Sequence, residues 1–400
     1  MPTEKLYWAD PFAVTFDARG ARAGKLGDRA SVVLARTAFY PEAGGQLADT
    51  GELRIGDRTV RVTDVQVDDE GTIHHLLEGD AAWDGGDDQA LEIHGTVDVA
   101  RRRDHMAQHT AQHALSRALL DVAKAETVSA RLGSTACTID VDVATVPDGV
   151  LGRAEDLVNA IVTDDVVVRS HFPTTAELAQ MPLRRTPKVT ENIRVIEIDH
   201  FDFTPCGGTH CTRTGQIGLV RVVGTERYKG KTRVTFHAGL RALADARTKD
   251  AVLGALARDL TCGLLDVGAG VAKLRKDLDA ARELLGGTRG ELLELLAQQV
   301  LAAHPPDPSG ATLVAMVRPR DDLGMLRALA GRLTTRPDVV AICAAPEGDG
   351  GDLAIVVQKG ASAPFDCGAW LKAKALATGG RGGGRPERAE GRLPKDTPVP

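Results

Sequence analysis

The chain has few aromatic residues, few cysteines and no long apolar run. Aromatic residues make up 4% of the 400, so the core of the fold must consist mainly of aliphatic side chains. Six cysteines without a Cys-x-x-Cys pair do not suit the disulfide framework of a small secreted protein. The start, MPTEKLYWAD, lacks a signal-peptide core, and no segment has the apolar length of a bilayer span. We therefore expect a cytoplasmic protein.

Charge is present in both signs, and the formal net charge is -6. An acidic balance argues against a protein that coats nucleic acid non-specifically, although a local basic patch remains possible. Such a patch lies in residues 221–249, where eight Lys and Arg residues face Glu226 and Asp245, a local balance of +6. Charge alone favours equally a nucleic-acid contact and an ordinary solvated surface.

The pattern of apolar residues predicts an α+β protein in four segments. Residues 1–97 contain short β-branched runs between turn signals, which predict a small β-barrel. Helical spacing first appears at 98–125 and strand-like runs then return, so residues 98–240 are predicted to form an α+β domain. Residues 241–304 are predicted to be a helical hairpin linker, and residues 305–400 a small α/β domain.

The linker and the end of the chain carry glycines that predict interruptions. A leucine stripe near heptad spacing in the linker is broken at Gly286 and Gly287, which favours a packed helical hairpin. Residues 379–386 are glycine-rich and are predicted to form a loop. Cys137, Cys262, Cys343 and Cys367 lie in apolar or helical contexts and are predicted to be buried small hydrophobic residues.

Two separate histidine-containing motifs predict a metal site. His105, His109 and His113 recur every four residues and therefore share one helix face. That helix is rich in alanine and gives imidazoles little polar cover unless something binds them. Farther along, glycines between Cys206 and His210 allow sulfur and nitrogen to converge. Together the motifs offer the nitrogen and sulfur ligands that a tetrahedral Zn²⁺ takes.

Four protein ligands would fill a tetrahedral zinc and make it structural, whereas zinc catalysis needs an open position or an expanded shell. Either one ligand is loose, or the metal organises the pocket and orients the substrate. The sequence leaves both alternatives open.

Five segments, in order, carry a resemblance to a known family: Thr37–Gln46 (TAFYPEAGGQ), His109–His113 (HTAQH), Cys206–His210 (CGGTH), Thr214–Gly218 (TGQIG) and Gly382–Pro386 (GGGRP). The chain resembles the stand-alone alanyl-tRNA editing proteins (the AlaX family, in its long form with a C-terminal DHHA1-type domain). It is also similar to the editing half of alanyl-tRNA synthetases. The resemblance implies that His109, His113, Cys206 and His210 bind zinc, and that His105 lies outside the ligand set. It also implies that residues 305–400 form a DHHA1-like tRNA-binding domain.

The activity that the resemblance implies is hydrolysis of the ester that joins serine or glycine to mischarged alanine tRNA, a step of translation fidelity. The implied substrate-binding residues are Thr37, Gly44, Gly45, Gln46 and Thr110. We expect Thr37 and Gln46 to recognise the serine hydroxyl by hydrogen bonds that alanine cannot make. Gln112 is expected to face solvent. The arginines of the terminal glycine loop, Arg381 and Arg385, are expected to contact the tRNA backbone.

Other functions compete with this interpretation. A non-catalytic tRNA-binding protein with a structural zinc is the main alternative. A phosphoesterase would need a DHH motif, and the nearest string, Asp104-His-Met, lies inside the metal-binding helix. No ATP-site domain precedes the barrel and the chain starts at Met1, so we expect a free-standing protein without aminoacylation activity. A homodimer through the helical linker or the C-terminal domain is also expected.

Overall fold

The computed structural model describes residues 3–78, 88–187, 191–308, 310–348 and 351–400. The chain divides into two compact units, one up to Gly254 and one from Ala255 onward. The prediction of four domains, with boundaries after residues 97, 240 and 304, stays a prediction. Within the described ranges, no helix combines the length and the apolar character that crossing a bilayer requires.

The first unit begins with a barrel. Its elements are β1 (Glu4–Lys5), α1 (Leu6–Ala9), β2 (Thr15–Leu26), β3 (Arg29–Leu34), β4 (Arg36–Thr37), β5 (Gly51–Ile55), β6 (Arg58–Val67), β7 (Ile73–Leu77) and β8 (Asp88–Val97). Six of these strands close in the order β2-β3-β7-β6-β5-β8. Alternate residues point inward and bury aliphatic side chains such as Val32, Leu53 and Val62. The predicted barrel is confirmed.

Helix α2 (Val99–Ala123) is the central helix of the first unit. It begins where the Asp98 carboxylate accepts a hydrogen bond from the Arg101 N–H, an N-cap that satisfies one of the free donors of the first turn. Its alanines and leucines pack into the apolar core. Arg102, fully buried, donates from Nε to both carboxylate oxygens of Asp49, at 3.2 and 3.1 Å. This ion pair joins α2 to the segment between β4 and β5.

The remainder of the first unit covers α2 with two sheets and further helices. Its elements are β9 (Thr127–Leu132), β10 (Cys137–Val141), α3 (Asp148–Thr163), β11 (Val168–His171), α4 (Thr175–Leu178), β12 (Val195–Ile198), β13 (Asp202–Pro205), β14 (Val220–Tyr228), β15 (Lys231–Ala238) and α5 (Gly239–Asp259). One antiparallel sheet has the order β14-β15-β10-β9 and the other the order β11-β12-β13. The boundary between the two units falls within α5.

The second unit is a mixed sheet with helices. Its elements are α6 (Val267–Ala303), β16 (Thr312–Val317), α7 (Leu323–Leu333), β17 (Val339–Pro346), β18 (Leu353–Lys359), α8 (Cys367–Thr378), β19 (Arg381–Arg385) and β20 (Arg388–Leu393). The strands lie in the order β16-β17-β18-β20-β19, with only the β16–β17 pair parallel among these. Leu326, Leu329 and Leu333 of α7 pack into one core, and Leu371 of α8 belongs to another.

Two predictions about glycine were wrong. Helix α6 runs without interruption through Gly286 and Gly287. The glycine-rich end is a strand, β19, paired antiparallel with β20. Two of its glycines have a packing reason: an added Cβ on Gly382 would lie 2.9 Å from Leu371 of α8, and one on Gly384 would lie 2.3 Å from the Arg388 carbonyl.

The cysteine predictions hold at three positions. Cys137, Cys343 and Cys367 are buried, whereas Cys262 is half-buried.

Candidate metal centre

Four side chains from two parts of the fold converge in the first unit. His109 and His113 come from successive turns of α2, and Cys206 and His210 come from the loop after β13. One ligand atom from each lies within 4.8 Å of the others. The Cys206 sulfur is 3.4 Å from Nε2 of His109 and 3.4 Å from Nε2 of His210. Three imidazoles and one thiol therefore face one another in a buried space.

These separations fit a zinc ion. Zinc binds imidazole nitrogen at about 2.0 Å and thiolate sulfur at about 2.3 Å, so a tetrahedral ion would hold nitrogen and sulfur about 3.5 Å apart. Both sulfur–nitrogen distances, at 3.4 Å, match that value. The donor set, three nitrogens and one sulfur, is also one that zinc prefers.

Gln46 fixes the tautomer of His109. Its amide oxygen lies 2.7 Å from His109 Nδ1 and also accepts the Thr209 N–H at 3.1 Å. Because an amide oxygen can only accept, Nδ1 must carry the proton. The lone pair of Nε2 is then free to bind a metal, the usual arrangement of a metal-binding histidine and its outer partner.

Thr110 does the same for His210. Its hydroxyl donates to the Met106 carbonyl at 2.8 Å, as its position four residues along the helix allows. With the hydroxyl proton used there, the Thr110 oxygen accepts from His210 Nδ1 at 3.3 Å and from the Cys211 N–H at 3.0 Å. His210 therefore also keeps Nε2 unprotonated.

His113 has a charged neighbour in place of a hydrogen-bond partner. Its Nδ1 is buried without a hydrogen bond in the described part of the chain and lies 4.0 Å from the Asp202 carboxylate. Asp202 is itself held by Arg184 Nε at 2.9 Å and by the Thr204 hydroxyl at 2.7 Å. The carboxylate gives His113 a favourable electrostatic environment for a proton on Nδ1.

Burial keeps the imidazoles neutral. Desolvation, together with the nearby charges of Arg185 and Arg194, lowers the pKa of His109 to about 3. Burial likewise holds the pKa values of His113 and His210 well below the ordinary value. Neutral imidazole is the form that binds metal, so the three side chains are ready as ligands at neutral pH.

The thiol is affected in the opposite direction. Burial raises the pKa of Cys206, and the positive charges of Arg194, Arg185 and Arg184 oppose that effect. A bound divalent cation would favour the thiolate further, as metal coordination does for cysteine ligands generally.

A hairpin and a glycine hold the Cys206 loop in place. Val195 of β12 pairs with Pro205 of β13, so the preceding residue, Arg194, lies beside the start of the loop. Arg194 is 5% exposed and donates to the carbonyls of Cys206 and Gly208, at 3.2 and 2.6 Å. Gly208 lies so close to His109 that an added Cβ would be 2.2 Å from its ring. Only glycine permits this approach of the loop to α2.

A cavity of about 480 Å³ leads to one side of the cluster. Of the four converging side chains, His109 and Cys206 line it. Its walls combine aromatic rings, arginines and backbone: Tyr7, Trp8, Tyr40, Gly44, Arg185 and Arg194. Small-molecule sites are of this size and are lined mainly by apolar groups with a few polar ones. A substrate in this cavity would approach the metal position from the His109–Cys206 edge.

The predicted substrate-binding residues divide into three groups. Gly44 lines the cavity. Gln46 and Thr110 are buried and contact the histidines. Thr37 belongs to the barrel interior, where its hydroxyl lies 2.8 Å from His75 Nε2, and Gly45 packs against the Ala130 carbonyl. Contacts of these residues with a substrate stay predictions.

Three other predictions concern Gln112 and His105, which lie near the cluster, and the arginines of β19, which lie in the second unit. Gln112 is 7% exposed and donates to Ser116, so the expectation that it faces solvent was wrong. His105 is buried one turn before His109 and is not one of the four converging residues. Arg381 and Arg385 belong to the second unit, exposed on β19.

Sequence patterns did not reveal Arg194, Asp202 or Tyr40 as parts of this site. Arg194 had one usable signal, because a hairpin between the strand after residue 194 and Cys206 places the two side by side. Asp202 had none, since aspartates occupy ordinary strand and loop positions throughout the chain. Tyr40 lies in the TAFYPEAGGQ segment, where the expected substrate contacts were Thr37, Gly44, Gly45 and Gln46.

Two sequence families match parts of the chain. Residues 13–98 match the family described as tRNA synthetases class II (A). Residues 193–235, which include Cys206 and His210, match the threonyl and alanyl tRNA synthetase second additional domain. Both matched stretches lie in the first unit, and together they cover part of the chain.

Curated relatives extend the similarity to most of the chain. The alanine–tRNA ligase of Halorubrum lacusprofundi is 32% identical over 88% of this chain and 37% of its own length. That of Saccharopolyspora erythraea is 32% identical over 93% of this chain and 42% of its own length. The alanyl-tRNA editing protein AlaX-L of Pyrococcus horikoshii is 32% identical over 60% of this chain and 59% of its length. The chain thus spans less than half of these ligases.

Among solved structures, the C-Ala domain of Aquifex aeolicus alanyl-tRNA synthetase matches 22% of this chain and 80% of its own, at 24% identity and a TM-score of 0.20. A likeness of this size carries no argument about fold or function.

Proposed function

We propose that this chain is a zinc-dependent aminoacyl-tRNA hydrolase that removes serine or glycine from mischarged alanine tRNA in the cytoplasm. The observation that carries the proposal is the cavity, because it ends on the His109–Cys206 edge of the converging side chains. A purely structural metal would need no such access. Similarity to an alanyl-tRNA editing protein and to alanine–tRNA ligases supports the substrate class.

Each residue of the centre has a defined part in the proposal. His109, His113, Cys206 and His210 would hold Zn²⁺, and Gln46 and Thr110 orient two of the imidazoles. When bound, the ion supplies a fixed positive charge that orients the substrate and stabilises negative charge developing on the ester. Arg185, whose Nη2 donates to the Pro205 carbonyl, lines the cavity and adds positive charge beside the reacting ester.

Selection among amino acids would take place in the cavity. Hydrogen bonding alone cannot admit glycine and exclude alanine, because neither side chain can form a hydrogen bond. Serine differs from alanine by a hydroxyl, which a buried acceptor can recognise. Tyr40, which lines the cavity, donates its phenol proton to the Ala43 carbonyl at 3.0 Å and keeps an oxygen lone pair for such a hydroxyl. Thr37 and Gln46 have their side chains engaged within the protein.

A second candidate function is a tRNA-binding protein whose zinc is structural. The observation that favours it is the number of ligands, because four side chains fill a tetrahedral ion. Both candidates share alanine tRNA as a partner, with Arg381 and Arg385 as proposed backbone contacts.

A homodimer through α6 or the second unit is also proposed, since α6 exposes Leu274, Leu285 and Leu292 by 51–58%.

Deacylation of alanine tRNA that is mischarged with serine or glycine separates the two candidates. Correctly charged alanyl-tRNA is the control. We expect release of serine or glycine well above the buffer rate, and little release of alanine. His113→Ala should lose both zinc and activity, whereas His304→Ala, an exposed histidine of the second unit, should keep both. Wild-type protein that binds zinc and tRNA without accelerating release would establish the structural role. Full zinc content in His113→Ala would contradict the ligand assignment.

A further inference from the structure

The first unit carries two large surface grooves that differ in charge. The groove on the barrel, about 880 Å³, is lined by three arginines and three carboxylates: Arg19, Arg36, Arg54, Asp17, Asp57 and Glu92. The second groove, about 730 Å³, lies on the sheet formed by β9, β10, β14 and β15. Four cations line it against a single carboxylate: Arg131, Lys229, Lys231, Arg233 and Asp140. We call this second cavity the basic groove.

One of its cations is neutralised and three are not. Arg233 binds Asp140 through two hydrogen bonds, Nε–Oδ1 at 2.7 Å and Nη2–Oδ2 at 3.0 Å. Within the described ranges, Arg131, Lys229 and Lys231 form no ion pair with a carboxylate. The groove therefore keeps three positive charges that require an anionic ligand or remain in solvent.

Of the other five cations in the basic segment 221–249, three form ion pairs, and the remaining two, Arg227 and Arg247, do not line the groove. Arg221 pairs with Glu155 at 3.1 Å, Arg241 with Asp104 at 2.6 Å and Lys249 with Asp245 at 2.6 Å. Within that segment, the cations that line the groove without an ion pair are Lys229 and Lys231, at the turn between β14 and β15. This placement favours a nucleic-acid contact for that part of the segment.

An aromatic ring accompanies these charges. Tyr228 lines the groove, with the Arg233 guanidinium 3.6 Å and the Lys229 ammonium 5.2 Å from its ring centroid. Cations interleaved with an aromatic face are typical of surfaces that follow a single nucleic-acid strand, because cations bind phosphate and rings stack on bases. An acidic protein partner would use the charges but would have no particular need of the ring.

Strand β9 connects the groove to the segment that holds Gln46 beside the candidate metal centre. The Leu132 N–H of β9 donates to the Gly45 carbonyl at 2.8 Å, and a Cβ on Gly45 would lie 2.6 Å from the Ala130 carbonyl. Ala130 and Arg131 line the groove, while Gln46, next to Gly45, contacts His109. One strand therefore separates the groove from the residue that orients a predicted metal ligand.

We propose that the basic groove binds the phosphate backbone of the single-stranded 3′ end of the tRNA while the terminal aminoacyl ester lies in the cavity at the metal centre. This inference rests on the proposed function for its substrate. The ester is attached to the terminal ribose, so the preceding phosphates must lie on a surface adjoining the cavity. The groove adjoins the cavity, because Gly44 lines the cavity and the next residue, Gly45, contacts Ala130 of the groove, and it offers uncompensated positive charge and an aromatic wall.

The test is the salt dependence of tRNA binding. Uncharged alanine tRNA is titrated with the full chain over a range of salt concentrations, for wild type and for the triple variant Arg131→Gln, Lys229→Gln, Lys231→Gln. Each lost contact with a single strand lowers the slope of log affinity against log salt by about 0.7. We expect the triple variant to lose about 2 from the slope and to bind about tenfold more weakly at low salt.

A matched variant removes three exposed cations from the barrel, Arg22→Gln, Lys25→Gln and Arg61→Gln, and should keep the wild-type slope. Zinc content and hydrolysis of a seryl ester of adenosine should be unchanged in both variants. A wild-type slope in the triple variant would overturn the inference. So would an equal loss for tRNA that lacks its single-stranded 3′ end, because the contact would then lie elsewhere on the RNA. If wild type binds tRNA but hydrolyses no ester, the proposed activity fails while the groove is still tested by binding.

Discussion

The two glycines between Cys206 and Thr209 differ in the space around them. An added Cβ on Gly208 would lie 2.2 Å from Cε1 and 2.5 Å from Nδ1 of His109, whereas one on Gly207 would have no heavy atom within 4 Å. Gly208→Ala must therefore displace either the loop or the imidazole. We expect zinc affinity to fall by about 10–100-fold, the range seen when support of a metal ligand is lost. Competition with a chelator measures that affinity.

Gly207→Ala is the matched control, with the same chemical change one residue away. It should keep the zinc affinity of wild type. Equal losses in the two variants would mean that the flexibility of the loop matters and the approach to His109 does not.

His75 in the barrel should make stability depend on pH. Burial lowers its pKa to about 4, although a bond to the Val32 carbonyl opposes this shift. Between about pH 4 and 6.5 the unfolded chain then binds more protons than the folded one, so stability falls as pH falls through this window and is complete above it. A shift of this size corresponds to about 3 kcal/mol.

His75→Gln removes this titration and keeps the capacity to bond with Thr37 and Val32. Denaturant unfolding at pH 7.5 and 4.5 should show a smaller loss of stability in the variant than in wild type, by about 2–3 kcal/mol. His304→Gln, at an exposed position, should change nothing. An identical pH dependence for His75→Gln and wild type would show that the folded protein does not keep this imidazole neutral.

At the residue scale, the sequence predicted which side chains converge better than it predicted which partner each side chain contacts. Helical spacing placed His109 and His113 on one face, and the paired glycines allowed Cys206 and His210 to reach them. Gln46 was singled out as a substrate contact, whereas its amide lies against His109. The direction of a hydrogen bond depends on tertiary packing. The spacing of residues along the chain carries no information about that packing.

At the scale of elements, the glycine pair in α6 gives a direct test of helix continuity. Gly286 and Gly287 are exposed, and an added Cβ on either would meet no heavy atom within 4 Å. In a continuous helix, Gly→Ala at such sites stabilises by about 0.5–1 kcal/mol each. The double variant should therefore raise the melting temperature by several degrees, whereas a helix broken there would show no gain.

Gly379→Ala provides the opposite control. Gly379 ends α8 in a left-handed conformation, φ 79°, where a side chain is strained. We expect the melting temperature to fall in this variant. A rise in both variants would indicate a general effect of alanine that is unrelated to helix geometry.

Elements with a strong period were predicted closely, and glycine-rich elements were not. The predicted helix at residues 98–125 corresponds to Val99–Ala123, because alanine and leucine recur on one face and Asp98 caps the start. Strand β19 was predicted as a loop because its three glycines have weak strand propensity. Pairing with β20 and packing under α8 overcome that weakness, and both are contacts that only the folded unit supplies.

At the scale of the whole molecule, the two compact units separate the proposed chemistry from a proposed RNA contact. The metal centre and its cavity belong to the first unit, and Arg381 and Arg385 belong to the second. Changes to β19 should therefore affect tRNA affinity without affecting the reacting centre.

Arg381→Gln with Arg385→Gln tests this separation in the full chain. Both side chains are exposed, and neither forms an ion pair with a carboxylate within the described ranges. If they contact phosphates, tRNA should bind more weakly and the slope of log affinity against log salt should fall by about 1–2. Hydrolysis of a seryl ester of adenosine should stay at the wild-type rate, because that substrate lacks the tRNA body.

The pair Lys273→Gln and Arg275→Gln on α6 removes equal charge at other exposed positions and should leave the slope unchanged. Loss of ester hydrolysis in the β19 variant would show that the second unit takes part in the reaction. It would contradict the assignment of the reaction to the first unit alone.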